Sequence, residues 1–232
     1  CLFSEQGYVK FDAVIWDMDG LLLDTERLAH ESWQQASREL ATGIDDSIFL
    51  EIIGMNVKSF HGWLEEHLGH QTDVLALVQR ANDIYHVKIA EGPPLKKGAR
   101  SCIEWLSQRG VPQAVATSSA QDLAQRKLGH HDLLPHFHSI TSGDQVSRGK
   151  PHPEIFQKAA KQMQIPPERC LVFEDSRLGI IGAAASGATV VLIPDLAIHD
   201  DESESLAFQI WDSLEEGIDL FQDWFHTGEI KR

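Results

Sequence analysis

From Ala99 onward the apolar pattern switches repeatedly between short strand-like runs and helical stretches, and this alternation constrains the fold more than any other feature of the chain. Strands alternating with amphipathic helices give a parallel sheet with crossover helices, because a parallel strand pair needs a long connection that packs back on the sheet. The spacing predicts helices over Ala99–Gln108, Ala120–Leu128, Glu154–Met163 and Leu178–Ser186. Between them fall strands over Gln113–Thr117, His138–Thr141, Cys170–Phe173 and Thr189–Ile193. A short edge strand at Ala207–Ile210 and a last helix around Leu214–Phe225 complete the series.

One strand stands apart from this run. Lys10 to Trp16 is strand-like, but the segment from about residue 25 to 90 reads as helix throughout. Asp24 or Thr25 can cap a helix through Ala29, Trp33 and Ala36. Leu50, Ile53, Phe60, Trp63, Leu64 and Leu68 fit two short helices broken at Gly54, and Val74–Ile89 fits a longer one that ends at the breaker cluster Gly92-Pro93-Pro94. The expected fold class is therefore α/β: a doubly wound, Rossmann-like parallel-sheet core over 10–22 and 93–232, with an all-helical cap domain inserted over 23–92. An insert after the first strand hangs over the sheet's C-terminal edge and is placed to act as a lid.

Beneath that insert lies Asp17-Met18-Asp19-Gly20, where the apolar run Ala13–Trp16 empties into a loop. Residues i and i+2 of an extended segment point to one side, so both acids can face one reacting centre. Their mutual repulsion calls for a bound cation or a shared proton. Three further segments each end a strand or lie in an adjoining loop. In Thr117-Ser118-Ser119 a hydroxyl and helix-start N–H groups can hold phosphate oxygens. Lys150 can offset charge, and Glu174-Asp175 adds oxygens that suit Mg²⁺. Taken singly, each has a plain structural role as a turn, a helix cap or a solvated loop. The conjunction at the functional edge of one sheet points to phosphoryl transfer.

Composition narrows the partners. A formal net charge of −15, with no Lys/Arg-rich stripe, argues against a nucleic-acid or anionic-membrane surface. No apolar stretch is long enough to span a bilayer, and Cys1 to Lys10 carries no signal-peptide h-region. Cys1, Cys102 and Cys170 are odd in number and far apart, which fits reduced thiols and a cytoplasmic setting. The acidic run Asp200–Glu204 reads as a solvated loop, and His61, His67, His70, His130, His131, His136 and His138 as surface or capping residues. Trp16 is expected in the core.

The segments FDAVIWDMDGLLLDTERL (Phe11–Leu28), ATSS (Ala116–Ser119), GKPHPEIF (Gly149–Phe156) and CLVFEDS (Cys170–Ser176) resemble the haloacid dehalogenase-like hydrolases, in their phosphatase and β-phosphoglucomutase-like branch. Their wording is similar to that of pseudouridine 5′-phosphatase-like proteins, and the insert to that superfamily's first cap type. The resemblance implies Asp17 as nucleophile and Asp19 as acid/base. It implies Mg²⁺ on Asp17, the Asp19 backbone carbonyl and Asp175, with Glu174 ordering metal-bound water. Met18, Asp19 and Ser118 N–H groups, Thr117 and Lys150 would hold the phosphate, and a small phosphorylated metabolite would be the substrate. Superfamily dehalogenases and phosphonate hydrolases lack the second aspartate, although Lys58 sits where a cap lysine could act. A sugar phosphomutase is the rival, but the position of its cap histidine falls on Ala29, with His30 one residue on, and Gly54–Lys58 contains no arginine. A phospho-receiver domain would carry its accepting aspartate on a later strand and lack the helical insert; a phosphate-ester binder without turnover would be expected to show a disabled motif. Specificity is expected from the cap, with Glu26, His30, Asn56 and Lys58 as candidates, and a single copy suffices for a closing cap.

Overall fold

The computed structural model describes residues 11–42, 73–196 and 199–225. Six parallel strands form one sheet in the order β3-β2-β1-β4-β5-β6: β1 Ala13–Trp16, β2 Gln113–Thr117, β3 Ser139–Ser142, β4 Cys170–Glu174, β5 Thr189–Leu192 and β6 Gln209–Ile210. The chain leaves β1 to one side, towards β2 and β3, and later returns to β4 on the other side. β1 and β4 therefore flank the switch point, the place where such sheets open a crevice at their C-terminal ends.

A central parallel strand is covered on both faces, which is why β1 is an unbroken apolar run. Val14 and Trp16 pack on one face with Ile103 and Leu106 of α3 (Ala99–Gln108) and with Phe221 and Trp224 of the last helix. Ala13 and Ile15 pack on the other with Phe156 and Ala159 of α5 (Glu154–Gln162) and Ile180 and Ala183 of α6 (Arg177–Ala185). Trp16 is fully buried, stacks on Phe173 and donates its indole N–H to Gln113 Oε1 at 3.0 Å.

The described part of the insert is two helices, α1 (Thr25–Glu39) and α2 (Val74–Ala90), packed through Ala36, Leu77, Ala81 and Ile84. The expected helices around Leu50–Leu68, and with them Asn56 and Lys58, lie outside the described residues. The chain enters and leaves the insert side by side: Leu23 pairs antiparallel with Leu95, Asp24 N–H donates to Pro94 O at 2.8 Å and Lys96 N–H to Leu22 O at 2.9 Å. This stalk rises directly from the Asp17–Gly20 turn.

Four details differ from the sequence reading. Asp24 stands at the N-cap of α1, but its carboxylate accepts from Arg27 Nε at 2.6 Å rather than from a backbone N–H; a charged partner three residues on outcompetes the amide. The acidic run is not a loop. Asp200 accepts from Ser203 N–H at 2.9 Å and caps a short helix, α7 (Asp201–Ser205), whose first-turn acids suit the positive helix end. β6 is only two residues long, and a 3₁₀ turn at Leu214–Glu216 precedes α8 (Gly217–Trp224). His131 and His136 are not merely surface groups, because their rings bond Pro93 O at 2.6 Å and Ser107 Oγ at 2.9 Å.

Candidate active site

Asp17 is the first residue past β1. Its N–H still donates to Phe173 O of β4 at 3.0 Å, so the sheet ladder fixes where its side chain begins. Beyond it the backbone folds tightly, with Met18 O accepting from both Leu22 and Leu23 N–H at 3.0 Å. Gly20 takes φ +89°, and a Cβ there would lie 2.0 Å from Asp175 Oδ2. The glycine thus serves two needs at once, a left-handed turn and close approach to the carboxylate arriving from β4.

Asp175 follows β4, and Asp17, Glu174 and Asp175 each bring an oxygen within 4.8 Å of the others. All three are buried. Lys150, arriving from the loop before α5, donates to Asp17 Oδ1, to Glu174 Oε1 at 2.5 Å and to Ala116 O at 3.1 Å. Glu174 Oε2 accepts from Asp175 N–H, Ser176 N–H and Ser176 Oγ at 3.0–3.1 Å, so both of its oxygens are engaged by the chain itself. Asp175 Oδ2 is buried with no hydrogen-bond partner. Such an orphaned acceptor is costly in a packed interior, and a cation held by these carboxylates would satisfy it. Three carboxylates against one ammonium give the cluster a formal charge of −2, the value a divalent ion cancels.

Electrostatics follow the burial. Loss of water raises the Asp17 carboxyl to about 8, with Glu174 and Asp19 adding to the rise and Lys150 opposing it. Asp175 is pushed well up by burial and by Asp17 and Glu174. Lys150 stays above its ordinary range because the two acids outweigh its own desolvation.

Asp19 points elsewhere. Its Oδ1 accepts from Lys127 Nζ at 2.6 Å, and its Oδ2 accepts from Ser119 Oγ at 2.7 Å and Thr117 Oγ1 at 3.4 Å. Thr117 ends β2, and its hydroxyl also accepts from Ser119 N–H at 3.1 Å, which shapes the turn into α4 (Gln121–Gly129). Asp17, Asp19, Thr117, Ser118, Lys150 and Asp175 line one cavity of about 310 Å³ together with Glu26, Ser119 and Ser176. A larger cleft of about 640 Å³ between α2 and α4 has no converging acids, so chemistry rather than size identifies the site.

Of the residues expected in the cap, Glu26 reaches this cavity from the first turn of α1. Its carboxyl is raised to about 7 by burial and by Asp195, against the Leu196 N–H and Lys96. Glu26, Asp175 and Asp195 form a second acidic triplet that shares Asp175 with the first. His30 lies one turn further along α1 and does not line the cavity. Two residues at the site went unremarked as individuals in the sequence: Ser119 and Lys127. Lys127 had a signal, since it stands three residues after Ala124 and one before Leu128, on the face of α4 that packs inward.

A family model for the haloacid dehalogenase-like hydrolases matches residues 11–187. A Drosophila melanogaster protein named "Probable pseudouridine-5′-phosphatase" is 33% identical over 88% of this chain and 90% of its own. The "Phosphorylated carbohydrates phosphatase" of Thermotoga maritima is 30% identical over 76% of this chain and 82% of its own. Among solved structures, a HAD family hydrolase from Deinococcus radiodurans with bound phosphate and sodium superposes with a TM-score of 0.79 at 26% identity, covering 91% of this chain and 95% of its own. The chain belongs to the haloacid dehalogenase-like hydrolases.

Proposed function

We propose that this hydrolase is a Mg²⁺-dependent phosphatase that cleaves a small phosphomonoester, a sugar phosphate or nucleoside monophosphate, through an aspartyl-phosphate intermediate. The observation that carries the reading is the meeting of Asp17, Asp175 and Lys150 in one cavity that Thr117 and Asp19 also line. The donor set is all oxygen and its −2 charge suits Mg²⁺. Asp17, Asp175 and the Asp19 backbone carbonyl would hold the ion. When bound, it supplies positive charge that neutralises the carboxylates and a phosphoryl oxygen.

Asp17 attacks phosphorus in line, and the P–O bond to the leaving group breaks as Asp19 gives that oxygen a proton. In the second half Asp19 takes a proton from water, whose oxygen attacks phosphorus and frees Asp17. Lys150 holds the Asp17 carboxylate in place and, with Thr117 and the N–H groups of Met18, Asp19 and Ser118, grips the phosphoryl oxygens. Glu174, whose oxygens accept from Lys150, the Asp175 and Ser176 N–H groups and Ser176 Oγ, holds Lys150 in place beside the cation site. We assign the lid role to the insert over 23–92, carried on the paired stalk at Leu23 and Leu95, with Glu26 at the cavity helping to choose the leaving group. A mutase would need its cap histidine where this chain has Ala29, which favours water as acceptor. The relatives named as phosphatases of phosphorylated carbohydrates and of pseudouridine 5′-phosphate support the substrate class. The buried free thiols of Cys102 and Cys170 suit a reducing, cytoplasmic setting, and no described helix is long and apolar enough to cross a membrane. We take the enzyme to act as a monomer.

A phosphate-release screen over sugar phosphates and nucleoside monophosphates tests this, run with Mg²⁺, with chelator and with Asp17→Asn. Chelation and Asp17→Asn should each abolish turnover. Wild-type activity in Asp17→Asn would overturn the nucleophile.

A further inference from the structure

An ammonium 2% exposed inside a helix face is expensive unless something needs it there. Lys127 takes the α4 position between Ala124 and Leu128 where a leucine would pack, yet its Nζ sits 2.6 Å from Asp19 Oδ1. The other Asp19 oxygen is held by Ser119 Oγ, so donors on either side pin the carboxylate in one orientation. Tyr85 of α2 approaches from the cap, its ring centroid 5.9 Å from the ammonium. That is within reach of a cation–π contact and places an aromatic ring beside the ion pair. Burial, and then the negative charge of Asp19, both push the Tyr85 phenol up, which sets it within the field of that carboxylate. Lys127 therefore touches the acid/base on one side and the cap on the other. Among the described residues its ion-pair partner is Asp19, while Lys150 serves Asp17 and Glu174 in the acidic cluster.

We propose that Lys127 is a positioning residue of the hydrolysis: it fixes the Asp19 carboxyl for proton transfer and stabilises the anion that this transfer leaves behind. The inference rests on the reading of Asp19 as acid/base. As the ester P–O bond breaks, the Asp19 proton moves to the departing oxygen and Asp19 becomes a carboxylate facing the ammonium. The step matters in proportion to how badly the leaving group needs a proton. An alkoxide needs one; a p-nitrophenolate does not.

The test compares kcat/KM, which reports only steps up to release of the alcohol, on p-nitrophenyl phosphate and on the sugar phosphate turned over fastest in the screen. Lys127→Met should lower kcat/KM for the sugar phosphate about 10²-fold and for the aryl ester by less than about threefold, within the range a positioned general acid supplies. Lys127→Arg should restore most of the loss, and Asp19→Asn should show the same selectivity more strongly. If Lys127→Met does not fold, Lys127→Gln, which keeps a donor and loses the charge, takes its place under the same criterion. Equal losses on both esters, or no loss on either, would overturn the proposal. Turnover by wild type that survives Asp17→Asn would instead overturn the phosphatase mechanism, so the two failures are distinct.

Discussion

Lys150→Met removes the lysine that pairs with Asp17 and Glu174 in the acidic cluster while changing little else. The two side chains are close in length and volume, and the Phe156 ring, 5.1 Å from the ammonium, offers the new thioether an aromatic neighbour. The consequence is electrostatic. Lys150 is 6% exposed between Asp17 at 7% and Glu174 at 0%, so its loss leaves like charges facing one another out of water. Breaking a buried pair by deleting one partner costs about 3–5 kcal/mol. At roughly 2–4 °C per kcal/mol for a chain of this size, Tm in chelator should fall by about 6–20 °C. The fall should grow once pH passes about 8, where the wild-type loss is complete and the variant's continues. The Asp17 carboxyl already holds its proton to about 8 when folded and releases it in the ordinary carboxylate range when unfolded. Its contribution is therefore present at low pH and is lost as pH rises through that interval, and without Lys150 the interval widens. Added Mg²⁺ should then stabilise the variant more than wild type, because the cluster's formal charge goes from −2 to −3. A ligand at a hundred times its Kd adds about 2.7 kcal/mol, a readable shift. Thermal unfolding on either side of the Asp17 midpoint of about 8, with chelator and with Mg²⁺, decides the matter. A variant Tm within about 2 °C of wild type in chelator, or a Mg²⁺ shift no larger than wild type's, would refute the account of Lys150 as counter-ion.

Gly20→Ala places a methyl 2.0 Å from Asp175 Oδ2 at φ +89°; activity should drop at least about 100-fold and the Mg²⁺-induced Tm shift should vanish, with a backbone cost of only about 1–2 kcal/mol. Cys102 and Cys170 have no exposed surface and thiols pushed up to about 12 by burial; peptide mass spectrometry should find neither alkylated by iodoacetamide at pH 8 until the protein is unfolded. Asp200, held at about 2 by Ser203 N–H and then by Arg177, supports the start of α7 at all pH above the ordinary carboxylate range and loses that support as pH falls through about 2; an NMR titration of its carboxyl with a midpoint near the unperturbed value would disprove the cap.

What the sequence made legible was whatever depends on neighbours along the chain. β2 spans Gln113–Thr117 and α3 spans Ala99–Gln108 as expected, because a strand buried on both faces leaves an unbroken apolar run and Gly110 punctuates the join. The acids at 17, 19, 174 and 175 were legible for the same reason, each lying at or just past a strand's C-terminal end. The partners of those acids were not, since they are set by tertiary approach. Glu174 is saturated by Lys150 and by N–H groups of the α6 start, which no spacing rule reports. Lys127 lies 108 residues from Asp19. On α4 it looks like a blemish in an apolar face, and pattern rules treat such a residue as noise or as a side chain snorkelling to water. At 2% exposure it cannot reach water, so its charge must be answered within the fold, and the group that answers it is Asp19, the carboxylate we propose as acid/base. A lysine on the inward face of the helix that follows the Thr117–Ser119 turn is therefore a legible sign after all, once burial of an unpaired ammonium is ruled out on energetic grounds and an acid is sought for it.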